Sequence, residues 1–260
     1  MVSKDISRLF DLTGKVALVT GGNGGIGFGM AEAIAGGGAR VIIVGRNEEK
    51  NAASVKAIES KGGTASALVA DIRDEASCKE AFEKAAGQHG KIDILVNNAG
   101  ISIRKKPETY SMAEWHSVVD TNLTATFIFS QLAHPVMKQA GGGKIINIGS
   151  MMSIFGTPLS APYAASKGGI VQLTRALATA WATDGIQVNA VLPGYIDTDL
   201  TKKARTQVPN LNERVIDRTP AARWGLPTDF AGITVFLAGA ASDFITGTAI
   251  PVDGGYSIKA

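Results

Sequence analysis

Lys15–Thr20, KVALVT, runs directly into residues 21–39, GGNGGIGFGMAEAIAGGGA, and the reading of this join decides the fold. The first six residues read as a buried strand, since the apolar run is short and stops at a cluster of turn residues. The glycine-rich turn behind it passes into a segment with Met, Ala and Ile at helix-compatible spacing. Gly21, Gly25 and Gly27 stand as G-x-x-x-G-x-G. Missing side chains there let a pyrophosphate approach the backbone, and the helix offers its unpaired N–H groups and the positive end of its dipole. A glycine cluster alone signifies only a flexible turn. With a strand before it, a helix after it and a further strand, VIIV (41–44), about twenty residues on, it reads as a dinucleotide site.

From that unit, strands and helices alternate. VIIV is followed by a helix from Glu48, TASALVA (64–70) by a helix from Glu75, and IDILVN (92–97) by a helix from Met112. KIINIG (144–149) is followed by a helix from Pro162, then come IQVNAVL (186–192) and a last strand within GTAIPVDGG (247–255). The pattern predicts a Rossmann-type doubly wound parallel sheet of seven strands with helices on both faces, an α/β fold in one domain over residues 1–260. It breaks once, at 197–220, a polar stretch dense in Thr, Lys and Arg. Polar excursions of this kind are commonly lids or binding loops, and a substrate lid is expected here.

A second stretch carries the chemistry. Residues 150–167, SMMSIFGTPLSAPYAASK, hold a hydroxyl, a phenol and an amine. Pro162 suits the first turn of a helix, which puts Tyr163 and Lys167, four apart, on one face. An ammonium near the phenol favours phenolate and lowers a pKa of about 10, so the pair can trade protons near neutral pH. Ser150 closes the run GKIINIGS at a strand's carboxyl end, where open α/β sheets place their ligands. Tyr-x-x-x-Lys alone is a weak pattern; Ser150 and the glycine loop give it weight. Together they point to a carbonyl/alcohol oxidoreductase.

Composition excludes other classes. The 260 residues are 45% hydrophobic and carry a formal charge of only +3. No basic block is interleaved with aromatics, so no nucleic-acid partner is expected. The single Cys78 rules out an intramolecular disulfide framework. His89, His116 and His134 have no ligand spacing, and no metal is assigned. The amino end lacks the apolar core of a signal peptide and no run is long enough to span a membrane, so a cytoplasmic protein without a membrane partner is expected.

TGGNGGIG (20–27), NNAG (97–100), Asn122 in TNLTATF, Ser150, YAASK (163–167), PGYIDTD (193–199) and VDGGY (252–256) resemble, in order, the motifs of the short-chain dehydrogenase/reductases. The resemblance covers Gly14 to Tyr256. It implies a tetrad in which Tyr163 is the acid/base, Lys167 lowers its pKa and holds the nicotinamide ribose, Ser150 hydrogen-bonds the substrate oxygen and Asn122 fixes a water relay. It also implies cofactor contacts from Gly21, Asn23, Gly25, Ile26 and Gly27 in the loop, and from Arg46 and Asn47 after the second strand. Asp71 and Ile72 would meet adenine, Asn97, Ala99 and Gly100 the ribose and fourth strand, and Ile196 and Thr198 the carboxamide. Relatives are mostly tetramers, so a homotetramer is expected.

At the end of the second strand, an enzyme for NAD places a carboxylate that binds the ribose 2′-OH and repels a 2′-phosphate. Here Gly45 removes both, and the Arg46 guanidinium can pair with phosphate and stack on adenine. NADP(H) is therefore favoured over NAD(H), although Gly24 stands where many NADP-binding relatives have a second basic residue. Segments 101–107, 149–156 and 217–230 resemble the sugar-acid enzymes of the family, gluconate 5-dehydrogenases and 2-dehydro-3-deoxy-D-gluconate 5-dehydrogenases. A small-molecule sugar acid is the expected substrate. Arg104, with Ser150 and Tyr163, is a candidate to contact it; Lys105 and Lys106 share the loop and compete for that role. A 3-oxoacyl-[acyl-carrier-protein] reductase, which would use the same cations on an acidic carrier, is an alternative, and a non-catalytic dinucleotide sensor is another of a different class.

Overall fold

The computed structural model describes residues 5–259. Its seven strands are β1 (Val16–Thr20), β2 (Arg40–Gly45), β3 (Thr64–Val69), β4 (Ile94–Asn97), β5 (Gly143–Ile148), β6 (Ile186–Pro193) and β7 (Ala249–Val252). All pair in parallel, in the spatial order β3, β2, β1, β4, β5, β6, β7. Strands after β1 are laid outward on one side and strands from β4 outward on the other. The order reverses between β1 and β4, and their carboxyl ends open the crevice where such sheets bind ligands.

The inner strands β1, β2 and β4 carry apolar runs because both their faces are covered, whereas the edge strands β3 and β7 stay half-exposed. Val16 and Leu18 pack, with Phe82 of α3 (Glu75–His89) and Phe129 of α5 (Ala125–Gln139), into one core. Their neighbours Ala17 and Val19 face the opposite core with Met30 and Ile34 of α1 (Gly25–Gly36) and Leu237 of α9 (Ala231–Ala238). Helix starts follow the local chemistry. Asn47 Oδ1 accepts from Lys50 N at 2.7 Å to open α2 (Glu48–Glu59), and Asp74 caps α3 through Ser77 N at 2.8 Å. Ser111 and Glu114 form a reciprocal capping box on α4 (Met112–Val119).

Boundaries shift where tertiary bonds compete with the ladder. β4 begins at Ile94 rather than Ile92 because the Asp93 carboxylate accepts the Val16 N–H at 2.9 Å. The helix expected from Pro162 starts one residue earlier, as α6 (Ala161–Trp181), with Pro162 in its first turn. The polar stretch 197–220 folds into two short amphipathic helices, α7 (Asp199–Gln207) and α8 (Leu211–Arg218). They bury Ala204, Leu211 and Val215 against Tyr195, Val208 and Trp224. Among the described residues no helix is long and apolar enough to cross a membrane.

Candidate active site

A cavity of about 410 Å³ runs along the carboxyl edge of the sheet from β3 to β6, across the β1/β4 reversal. Gly21 and Gly25 turn the loop after β1 through left-handed backbone, φ +64° and +52°, which a side chain would strain. A Cβ on Gly21 would meet Ala99 Cα at 2.9 Å, and one on Gly27 would meet Gly21 O at 2.4 Å. Gly21, Asn23, Gly25 and Ile26 line the cavity, while Gly27 sits beneath them and lets the loop close on Asn98. This cradle, at the amino end of α1, is shaped for a pyrophosphate.

Towards the outer strands, Arg46 and Asn47 line the cavity after β2, and Asp71 and Ile72 after β3. Arg73 grips Asp71 with two nitrogens, Nε at 3.0 Å and an Nη at 2.5 Å, and holds its carboxyl down to about 2. Gly45 has a structural role as well. Asn23 Nδ2 donates to Asn51 Oδ1 at 2.6 Å across the place where a Gly45 Cβ would stand, 2.4 Å from the Asn23 nitrogen. Gly24, in contrast, is extended and has open space around a Cβ. Lys50, in the first turn of α2, also lines the cavity and lies 3.7 Å from Asp199 on α7.

At the other end stand Ser150, Tyr163 and Lys167. Ser150 ends β5's exit and caps a short turn, its Oγ accepting from Met152 N at 3.1 Å. Ser153 Oγ ties that turn to α6 by donating to Lys167 O at 2.6 Å. Burial pushes the Tyr163 phenol up, opposed by its hydrogen bond to Ser150 and by the charge of Arg104. Lys167 is 4% exposed, and burial lowers its ammonium to about 8. Its Nζ donates to Ile148 O at 2.6 Å and lies 5.8 Å from the Tyr163 ring centroid. The amine is bonded to the Ile148 carbonyl and stands over the Tyr163 ring, and Ser150 and Arg104 oppose the burial of the phenol.

Asn122, 1% exposed, lies behind this group in a π turn (Asp120–Thr124) between α4 and α5. Its Oδ1 accepts from Ile101 N at 2.8 Å, and its Nδ2 donates to Ile101 O at 3.0 Å and Ser166 Oγ at 3.0 Å. The side chain therefore pins the loop after β4 to α6, and the wider turn is of a kind common at functional sites. Gly100 packs against it, a Cβ there falling 3.2 Å from Asn122 Oδ1.

Ala99 and Gly100 line the cavity as expected, but Asn97 does not. It is 4% exposed and points into the fold, donating to Asn147 Oδ1 at 2.9 Å and Ser130 Oγ at 3.1 Å. Strand alternation puts its neighbour Asn98 at the cavity instead, where Nδ2 donates to Thr20 O and Gly21 O, both at 3.1 Å. Pairing register was the signal that could have separated the two. Ile196 and Thr198 close the cavity over the glycine loop, Thr198 Cγ2 lying 3.2 Å from a Gly25 Cβ. Of the three loop cations, Lys105 is spent on Glu114 at 2.7 Å. Arg104 has no carboxylate partner among the described residues, yet its charge reaches both Tyr163 and Tyr195. Arg218 lies over the Tyr256 ring at 4.4 Å and Arg205 over Trp224 at 3.7 Å, so cations and aromatics surround Tyr195.

Residues 21–257 match the family described as enoyl-(acyl carrier protein) reductase. The 2-dehydro-3-deoxy-D-gluconate 5-dehydrogenase of Dickeya dadantii is 42% identical over 96% of this chain and 98% of its own. The chain is a short-chain dehydrogenase/reductase. Gluconate 5-dehydrogenase of Gluconobacter oxydans is 38% identical over 96% of this short-chain dehydrogenase/reductase and 98% of its own length. The crystal structure of a gluconate 5-dehydrogenase from Burkholderia cenocepacia in complex with NADP and tartrate superposes with a TM-score of 0.91, at 39% identity over 96% and 98% of the two chains. This short-chain dehydrogenase/reductase is accordingly an NAD(P)-dependent oxidoreductase acting on CH–OH/C=O, and the cradle of Gly21 and Gly25 fits the dinucleotide.

Proposed function

We propose that the enzyme uses NADP(H) to interconvert a secondary alcohol and a ketone on a sugar acid of the gluconate or 2-dehydro-3-deoxygluconate class. The observation that carries the substrate reading is Arg104, a cation without a carboxylate partner among the described residues, close enough to act on the Tyr163 phenol. A guanidinium there can take a substrate carboxylate in a paired hydrogen bond and so set which carbon faces Tyr163. The names of the relatives from Dickeya and Gluconobacter support the same class.

When bound, the nicotinamide supplies or accepts the hydride. Tyr163 gives or takes the proton at its phenolic oxygen, and Ser150 Oγ hydrogen-bonds the substrate oxygen and favours the phenolate. Lys167, held on Ile148 O, supplies a positive charge near the phenol and a donor for the ribose. Asn122 is the residue expected to hold a water behind Lys167. Arg46, Asn47 and Gly21 to Ile26 bind the adenine half, and Arg46 beside Gly45 supports preference for a 2′-phosphate, with Lys50 on the same wall as a second cation. The α7 and α8 segment acts as the lid. A cytoplasmic homotetramer is the assembly proposed, since Phe127 on α5 stays 43% exposed on a long helix that tetrameric relatives pack between subunits.

A spectrophotometric panel tests the function. Gluconate, 2-dehydro-3-deoxygluconate, neutral polyols and acetoacetyl thioesters are assayed with NADP(H) and NAD(H). Turnover confined to the sugar acids is expected, with kcat/KM falling at least tenfold in Arg104→Ala through KM. Best turnover on the thioester would replace this reading with acyl reduction.

A further inference from the structure

At the opposite edge of the sheet, a second cavity of about 390 Å³ is lined by Lys15, Arg40, Thr64, His89 and Lys91. The topology builds it. Register pairs Val16 with Arg40 and Arg40 with Thr64, so the first residues of β1, β2 and β3 lie side by side, and Lys15 precedes them. His89 ends α3, and Lys91 leads into β4. Five residues of β1, at about 3.3 Å each, separate this edge from the glycine loop.

The charge is one-sided. Lys15 and Lys91 share one carboxylate, Asp93, at 3.2 and 3.0 Å. Burial raises that carboxyl, but the Val16 N–H and the two lysines outweigh it, and Asp93 stays ionised. Arg40 has no carboxylate partner among the described residues; it lies 3.2 Å from His89 Nδ1. That contact determines the imidazole. A guanidinium can only donate, so Nδ1 is the acceptor and the ring proton sits on Nε2. Burial and the Arg40 charge lower the His89 pKa, which keeps the ring in this neutral form. His89 Nε2 is shut off from solvent and has no partner among the described residues. An N–H closed to water is closed to an anion's oxygens as well, so His89 acts on the cavity through Arg40, which its Nδ1 holds.

We propose that this cavity is a second anion site, which takes a phosphate dianion, free or as the head of a phosphomonoester. Arg40 offers its planar fork, and Lys15, Lys91, Thr64 and Gln88 further donors around it, with His89 behind Arg40. A tetrahedral dianion has acceptor oxygens for all of these and offsets the excess positive charge. The site shares no residue with the cofactor cavity.

The test uses the full-length enzyme saturated with NADPH, so that phosphate has no access to the cofactor cradle. Inorganic phosphate, glycerol 3-phosphate or chloride is titrated at constant ionic strength while the three imidazoles are followed by ¹⁵N NMR. Saturable movement of the His89 Nδ1 signal is expected with either phosphate species, because the anion draws on the Arg40 guanidinium that Nδ1 holds. A response to the ester alone assigns the site to monoesters. Arg40→Gln and, separately, Lys91→Gln should each weaken that binding at least tenfold with NADPH affinity and kcat unchanged. An equal response to chloride, no saturation by either phosphate species, or phosphate binding indifferent to both substitutions overturns the proposal.

Discussion

At the residue scale the active site turns on how burial treats two titrating groups four apart on α6. Tyr163→Phe removes the proton carrier but no cofactor contact of size, so kcat should fall by about 10²–10⁴ with NADPH affinity nearly intact. Retention of more than about a tenth of kcat in stopped-flow assays would take the acid/base role from Tyr163. Lys167 makes a stability prediction of its own. Its pKa is about 8 when folded against 10.5 in the free chain, so the folded state binds that proton less tightly. The penalty of burying the ammonium is complete below pH 8 and fades as pH rises from 8 to 10.5. Over that window wild type should gain up to about 3 kcal/mol relative to Lys167→Met in urea unfolding. A pH-independent gap between the two would show that Lys167 is not a buried cation. The cofactor switch is also a matter of single residues. Arg46→Ala with Gly45→Asp should move preference towards NAD, but the new Cβ displaces the Asn23–Asn51 bond and should cost about 1–2 kcal/mol unless Asn23 is also made Ser. Measured kcat/KM for both cofactors checks this, and a wild-type preference for NAD refutes the reading of Arg46.

At the scale of elements, α7 and α8 are short and polar on their outer faces, and bury a small satellite core rather than the main one. Such segments open at low free energy. Amide exchange across 197–220 should slow on forming the ternary complex, with the surrounding strands unchanged; identical exchange with and without ligands excludes a lid. The π turn between α4 and α5 behaves differently, because it is held from inside. Asn122→Ala would leave both Ile101 backbone groups without that partner, and a loss of about 1–3 kcal/mol is expected in denaturant unfolding alongside lost turnover.

At the scale of the whole molecule, the cofactor cavity occupies one edge of the sheet and the second cation-lined cavity the other, so each can be perturbed without touching the other. The proposed tetramer would use the faces of α5 and α6 away from the sheet, where Phe127 stays exposed. Light scattering on a sizing column should give a tetramer, and Phe127→Glu should reduce it to smaller species. A monomer in wild type would refute the assembly.

The alternation of apolar strands with helices, and the glycine spacing 21, 25 and 27, were enough to determine the sheet, its parallel sense and the edge where the glycine-lined cavity opens. These are local features: period, cap and turn chemistry act over a few residues, so they can be read from order alone. Ser150, Tyr163 and Lys167 were legible for the same reason, being fixed by a strand end and one helical turn; Asn122 came only through family resemblance, as its bonds cross from α5's entrance to Ile101 and Ser166. What depended on tertiary structure is every property set by which way a side chain faces and what surrounds it. Strand register turned Asn97 inward and gave the cavity to Asn98. Packing sent Lys167 to Ile148 O and left Arg104, not Lys105, without a carboxylate partner among the described residues. The basic site at the amino edge was invisible in sequence because Lys15, Arg40, Thr64 and His89 are brought together only by parallel pairing, which juxtaposes residues separated along the chain by whole strand–helix units.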